Sequence, residues 1–157
     1  MDIKESDLNV RLVSVGEVAG ATVINRRVAK LSVGKPVRVD MSVRVLPDLE
    51  HSTVSLVVST SYIYEGILLR ERVMSCSAIA CFEIENLRDH VEMQGEDVIV
   101  GGRLMMMMLG VAVGALRGIV AVRTTGTPLA GRPLPILDLS ALMYRLRYGH
   151  KAPQFRT

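Results

Sequence analysis

The sequence predicts an α+β fold: a four-stranded antiparallel sheet followed by a long helix, an extended crossover and a short C-terminal helix. Three observations carry that expectation. Between residues 37 and 85, apolar residues recur at every second position in three consecutive runs, the period of strands with one buried face. From Val98 to Val122 the alternation gives way to Leu, Met, Ala and Val at helical density. Gly131-Arg132-Pro133-Leu134-Pro135 then breaks the pattern with two prolines, which forces an extended backbone.

A first strand is expected within Leu12 to Val28, interrupted near Gly16 and Gly20. The second spans Val37 to Val45, with Val37, Val39, Met41, Val43 and Val45 on one face and Arg38, Asp40, Ser42 and Arg44 on the other. Leu46-Pro47-Asp48-Leu49-Glu50 supplies turn chemistry. The third, Thr53 to Tyr64, aligns Val54, Leu56, Val58, Thr60, Tyr62 and Tyr64, and Glu65-Gly66 ends it. The fourth runs from about Arg70 to Glu85 with Met74, Cys76, Ala78, Ala80, Phe82 and Ile84 on one side. Consecutive strands joined by short turns pair antiparallel. Cys76 and Cys81 are five apart on one strand, hence on opposite faces and unable to pair. They read as free thiols and small hydrophobes, which suits a reducing cytoplasm.

Leu87 to Asp97 is a polar break, with Asp97 placed to N-cap the long helix. Thr124-Thr125-Gly126-Thr127-Pro128 stops that helix, and Asp138 or Ser140 starts the last one, which runs through about Arg147. One domain is expected over residues 1–157, with loose termini at 1–8 and 150–157.

Arg103 and Arg117 bracket 13 apolar residues. As helix they reach ~20 Å, short of the ~30 Å hydrocarbon core of a bilayer, so a buried soluble helix is expected and no membrane partner. Arg103, Met107, Gly110, Gly114 and Arg117 form one stripe, with Gly118 beside it. Met105, Met108, Leu109, Ala112, Leu116 and Ile119 form the opposite face. Interior glycines cost ~1 kcal/mol each relative to alanine, and close backbone approach is the usual compensation. The sequence therefore places the second face on the sheet and the glycine stripe on a partner subunit. A single monomer core with incidental glycines is the alternative.

Signals for chemistry are weak. His51, His90, His150 and the two cysteines lack metal-ligand spacing. Gly101-Gly102 opens a helix but lacks the lysine-serine ending of a phosphate loop. His90 beside Arg88 and Asp89 has no third fixed partner. Tyr144 to Lys151 mixes basic and aromatic residues, which reads as a solvated helix end rather than a nucleic-acid contact. No catalytic residue, metal or cofactor is expected, and no enzymatic activity. Apolar residues nevertheless make up 49% of the chain, which leaves surplus apolar surface to bury against subunits or ligands.

From about Val37 to Leu142 the ordered pieces resemble the SecB family of protein-export chaperones and its SecB-like relatives. Ala80-Cys81-Phe82-Glu83-Ile84-Glu85 is similar to the family's Gly-Ile-Phe-x-Ile-x-Gly segment. Leu134-Pro135-Ile136-Leu137-Asp138-Leu139-Ser140-Ala141-Leu142 is similar to its Leu-Pro-x-hydrophobic-x-x-x-x-Leu passage. Arg117-Gly118 and Gly126-Thr127-Pro128 look closer to the SecB-like branch than to the export chaperone itself. The resemblance implies a non-enzymatic, ATP-independent holdase that binds unfolded or extended polypeptide. It also implies a homotetramer, a dimer of dimers joined through the long helices. Clients would meet Leu134, Ile136, Leu139, Leu142 and Met143, with Met41 and Met74 beneath. The client could be general or one cognate partner such as an antitoxin. The alternative is a structural or ligand-binding module that keeps the fold and has lost the groove; an open channel lined by Leu134, Ile136, Leu139 and Met143 would separate the two. Two departures argue against docking to the export motor ATPase. The chain is basic, with a formal charge of +3 where the export chaperone is acidic, and residues 151–157 hold no zinc-ligand set.

Overall fold

The computed structural model describes residues 8–148 and 154–156. Strands β3 (Val37–Asp48), β4 (Thr53–Glu65) and β5 (Arg70–Ile84) form an antiparallel meander, with Val37 opposite Tyr64 and Thr53 opposite Glu83. The first strand, β1 (Val10–Glu17), returns to pair antiparallel with β5 rather than with β3, so the long strands lie in the order β1-β5-β4-β3. A short β2 (Val23–Ile24) also pairs with β5. The expected alternation holds across the inner face: Val37, Val39, Val54, Leu56, Val58, Tyr62, Cys76, Ala78, Ala80 and Ile84 are all fully buried. Where the register shifts between Tyr62 and Ile63, Val73 bulges out of the ladder, and both Val73 and Met74 enter the core. Bulges produce such adjacent burial by breaking the period of two.

The long helix α2 (Gly102–Thr124) crosses this face, chiefly over β5 and β4. It buries Leu104, Met105, Met108, Leu109, Ala112, Val113, Leu116 and Val120. Cys76, Ala78 and Ala80 are short side chains on β5, and they leave room for the helix above. By length and composition α2 could cross a membrane; in this fold one of its faces is spent on the sheet. The final helix α3 (Leu139–Tyr148) is capped as expected, with Asp138 Oδ1 accepting from Ala141 N at 3.1 Å.

Several boundaries differ from the sequence reading. The long helix begins at Gly102, not Val98, because Asp97–Val100 forms strand β7, paired with β6 (Val91–Gln94) around Gly95 at φ +65°. Asp97 is therefore no N-cap; Gly101 holds that position, its N–H donating to His90 O at 2.7 Å. A short apolar run joined to a helix has no period of its own to betray a strand. β3 also continues through Leu46-Pro47-Asp48, so the turn is tighter than expected, with Asp48 Oδ1 accepting from the N–H groups of Glu50 and His51. Among the described residues no strand pairs with the outer side of β3 beyond Asp40, and proline is tolerated on such an edge. Helix α1 (Arg26–Leu31), capped by Asn25, was not foreseen; it buries only Val28 and Ala29, too few to show a period. Strand β8 (Gln154–Arg156) pairs with Arg38–Asp40 of β3, in the terminus expected to be loose. The expectation for residues 1–7 lies outside the described residues.

Cys76 and Cys81 do fall on opposite faces, the first buried and the second half-buried. Burial pushes the Cys76 thiol up, despite a hydrogen bond from the Thr22 hydroxyl.

Candidate functional site

The crossover between α2 and α3 governs what surface the molecule offers. Pro133 and Pro135 have no N–H, so hydrogen bonding there falls to carbonyl groups. Arg117 on α2 donates to Pro135 O at 3.1 Å and to Leu134 O at 3.5 Å. Tyr62 Oη donates to Arg132 O at 3.0 Å, and the Arg132 guanidinium donates in turn to Ser32 O at 2.7 Å. Burial drives the Tyr62 hydroxyl up to about 12, so it stays a donor at any ordinary pH. Three side chains thus pin the extended segment onto the core. Leu129, Leu134 and Leu137 point inward and are buried.

This arrangement divides the residues expected to meet a client. Leu134 and Leu142 are buried beneath the crossover and α3, and Met41 and Met74 lie deeper still, at 1% and 0% exposure. Ile136 points the other way, 93% exposed. Leu139 and Met143 are half-buried along the seam with α2, Leu139 facing Gly110 and Met143 facing Gly102. The expected channel lined by Leu134, Ile136, Leu139 and Met143 is therefore not a continuous feature. Leu134 and Leu137, three apart, fall on one side, as in an extended chain with three residues per turn, and fill the space, while Ile136 between them turns outward.

An apolar cleft does exist one step away. Val45 at the far end of β3, Val98, Ile99 and Val100 of β7, Met105 of α2, and Met143, Leu146 and Arg147 of α3 enclose about 180 Å³. Cavities of ~150 Å³ with such linings hold a benzene ring, so the cleft fits one aromatic or branched side chain. Two methionines in its wall add adaptability, since unbranched thioethers accommodate different shapes. Sequence reasoning found only Met143 of this set. The signal for the β7 side of the cleft is the Val98-Ile99-Val100 run, whose apolar density reads as part of the adjoining helix. A second hollow, about 260 Å³, lies where Asp89, His90 and Glu92 meet Gly101, Gly102 and Arg103 at the start of α2; its mixed charges define no ligand. Among the described residues no cluster of three His, Cys, Asp or Glu side chains could hold a metal.

The stripe expected at a subunit interface is largely on the surface. Arg103, Met107, Gly110 and Gly114 are exposed, and Val111, Gly118 and Val122 extend the apolar strip. Arg117 is the exception, half-buried and committed to the crossover. Beside the strip, Val15, Ala115, Gly118, Ile119 and Val122 line an open groove of about 420 Å³ between α2 and β1. Glu17 and Arg123 close one end of it at 2.6 Å. The Arg123 guanidinium, with the Thr22 hydroxyl, holds the Glu17 carboxyl below its usual range.

No protein-family model matches the chain, and no curated protein does. Among solved structures it is similar to the SecB-like chaperone Rv1957 of Mycobacterium tuberculosis, determined in complex with a ChAD peptide from the HigA1 antitoxin Rv1956. The two share 14% identity over 82% of this chain and 90% of that one, with a TM-score of 0.47. The architecture is the expected one, except that the short β2 and β8 extend the four expected strands to a six-stranded sheet. A sheet of antiparallel strands is followed by a long helix, a crossover and a short helix.

Proposed function

We propose that the chain is a non-enzymatic, ATP-independent holdase of the cytoplasm that binds extended or unfolded polypeptide. The observation that carries this reading is the apolar cleft between β7, α2 and α3, open to solvent beside Leu146. A client side chain entering it exchanges water for methionine and branched aliphatic walls. Burying ~100 Å² of apolar surface yields about 2.5 kcal/mol, less than the cost of ordering a client segment. One cleft is too weak alone, so the reading calls for several clefts in one assembly, where linked contacts multiply. The exposed strip on α2 and the groove beside β1 suit such a homo-oligomer, built as a dimer of dimers.

One observation favours the second reading, a structural or ligand-binding module: Leu134, Leu137 and Leu142 fill the space under the crossover that a long client groove would need. The two are separated by aggregation assays without ATP. Near stoichiometric ratios the protein should suppress scattering from several unrelated denatured substrates. Leu146→Asp, placing a charge at the cleft mouth, should raise the amount required by roughly fivefold or more. If none of the substrates is protected, general holdase activity is wrong and the structural reading replaces it.

A further inference from the structure

The end of the sheet where β4 turns into β5 carries a surface that neither the fold nor the client cleft uses. Gly66 N donates to Leu69 O at 2.7 Å, closing a tight hairpin turn. A Cβ at Gly66 would stand 2.9 Å from Tyr64 Oη, so a larger residue there would have to displace the tyrosine ring. The two residues at the tip, Ile67 and Leu68, are 103% and 98% exposed. Such positions normally take Gly, Pro, Asn, Asp or Ser for their turn geometry, and nothing in the fold asks for branched aliphatic side chains there.

The same end is basic. The chain leaves β5 at Asn25, whose N–H donates to Val73 O. It then forms α1 and rejoins the sheet beside Tyr64, where Lys35 Nζ lies 3.3 Å from the tyrosine hydroxyl. Residues 25–37 and 63–73 therefore meet at one end of the sheet. Together they hold six basic residues (Arg26, Arg27, Lys30, Lys35, Arg70 and Arg72) and two acidic ones, Glu65 and Glu71. That excess is larger than the formal charge of the whole chain, +3. Glu65 is moreover ion-paired with Arg38 at 2.6 Å and, more loosely, with Arg70 at 3.6 Å. Leu31 and Val33, 44% and 61% exposed, lie on this end as well.

We infer that this end docks on an anionic lipid surface, with Ile67 and Leu68 entering the acyl boundary and the surrounding cations resting among the headgroups. Apolar groups ringed by lysine and arginine suit that boundary. The aliphatic tip gains burial, and the long basic side chains keep their charges at the headgroup level. Clustered cations add attraction to anionic lipids that falls off within a Debye length. This departs from the expectation of no membrane partner, which rested on α2 alone. It requires no membrane-spanning segment, and it is independent of the client cleft.

The test is co-sedimentation of the full chain with phosphatidylcholine vesicles prepared with or without phosphatidylserine. Binding should appear only on the phosphatidylserine vesicles and weaken steeply with added salt. Ile67→Ser with Leu68→Ser, at positions too exposed to disturb folding, should lower partitioning roughly tenfold or more. Sedimentation velocity and aggregation suppression should be unchanged in that variant. No binding to anionic vesicles overturns the inference. So does binding that survives the double substitution, which would assign lipid contact to the exposed face of α2. A change in assembly size in the variant would make the tip a contact between copies of the chain, and would overturn it equally.

Discussion

Leu134→Asp is expected to leave the chain mostly unfolded, while Ile136→Asp, two residues on, changes stability by less than about 0.5 kcal/mol. Leu134 is 3% exposed beneath the crossover, and Ile136 is 93% exposed above it. The first substitution removes a buried aliphatic side chain and puts a carboxylate in its place, where the neighbouring Arg117 is already committed to the Leu134 and Pro135 carbonyls. Losing the leucine alone costs about 2–5 kcal/mol, and the unpaired charge adds to that. Domains of this size are stable by only about 5–15 kcal/mol. Urea melts of the two variants measure the contrast. A small effect at Leu134 would mean that the crossover lifts readily from the core, and the buried leucines would return as candidates for client contact.

The second large effect concerns assembly. Gly114→Leu with Gly118→Leu should dissociate the proposed oligomer without harming the protomer. Nothing lies within 4 Å of a Cβ added at either position, so the isolated fold accepts larger side chains there. Replacing glycine inside a helix gains up to ~1 kcal/mol per site from propensity alone. Across a close helix–helix contact the same side chains would force the backbones apart. Gly110 is a poorer choice, since a Cβ there would already touch Leu139 at 3.9 Å. Light scattering at micromolar concentration should show the parent as a dimer or tetramer and the variant as a smaller species with an equal or higher melting temperature. A monomeric parent, or an unchanged assembly in the variant, would remove the interface from α2.

The legible parts of the fold were those with a long, uninterrupted period. β3, β4 and β5 each repeat inward residues over five or more alternations, and α2 supplies more than six helical turns, so their type and order could be read. What escaped was short or adjoined something stronger. α1 is six residues long with two buried, and β7 abuts the helix that its valines seemed to begin. The pairing of β1 with β5 also had no local signal, because sheet order depends on contacts distant in sequence. The candidate site suffered from both problems. The crossover was correctly seen as extended, but extension alone does not say which side faces the core. Arg117 and Tyr62 decide that, through bonds to backbone carbonyls that leave no motif. The strand that walls the cleft, β7, adjoins the long helix and shares its apolar density, and its partner β6 lies in what reads as a polar break.

The claim that client polypeptide enters the cleft beside α3 is tested most directly by photo-crosslinking. A benzophenone amino acid would be placed at Leu146, in the cleft mouth, and separately at Ser42, exposed on the opposite face of the sheet. Each protein is then irradiated with a denatured, aggregation-prone substrate. The account predicts a covalent client adduct from position 146 and only background from position 42. Equal yields at both positions, or no adduct at 146 from a protein that still suppresses aggregation, would contradict it.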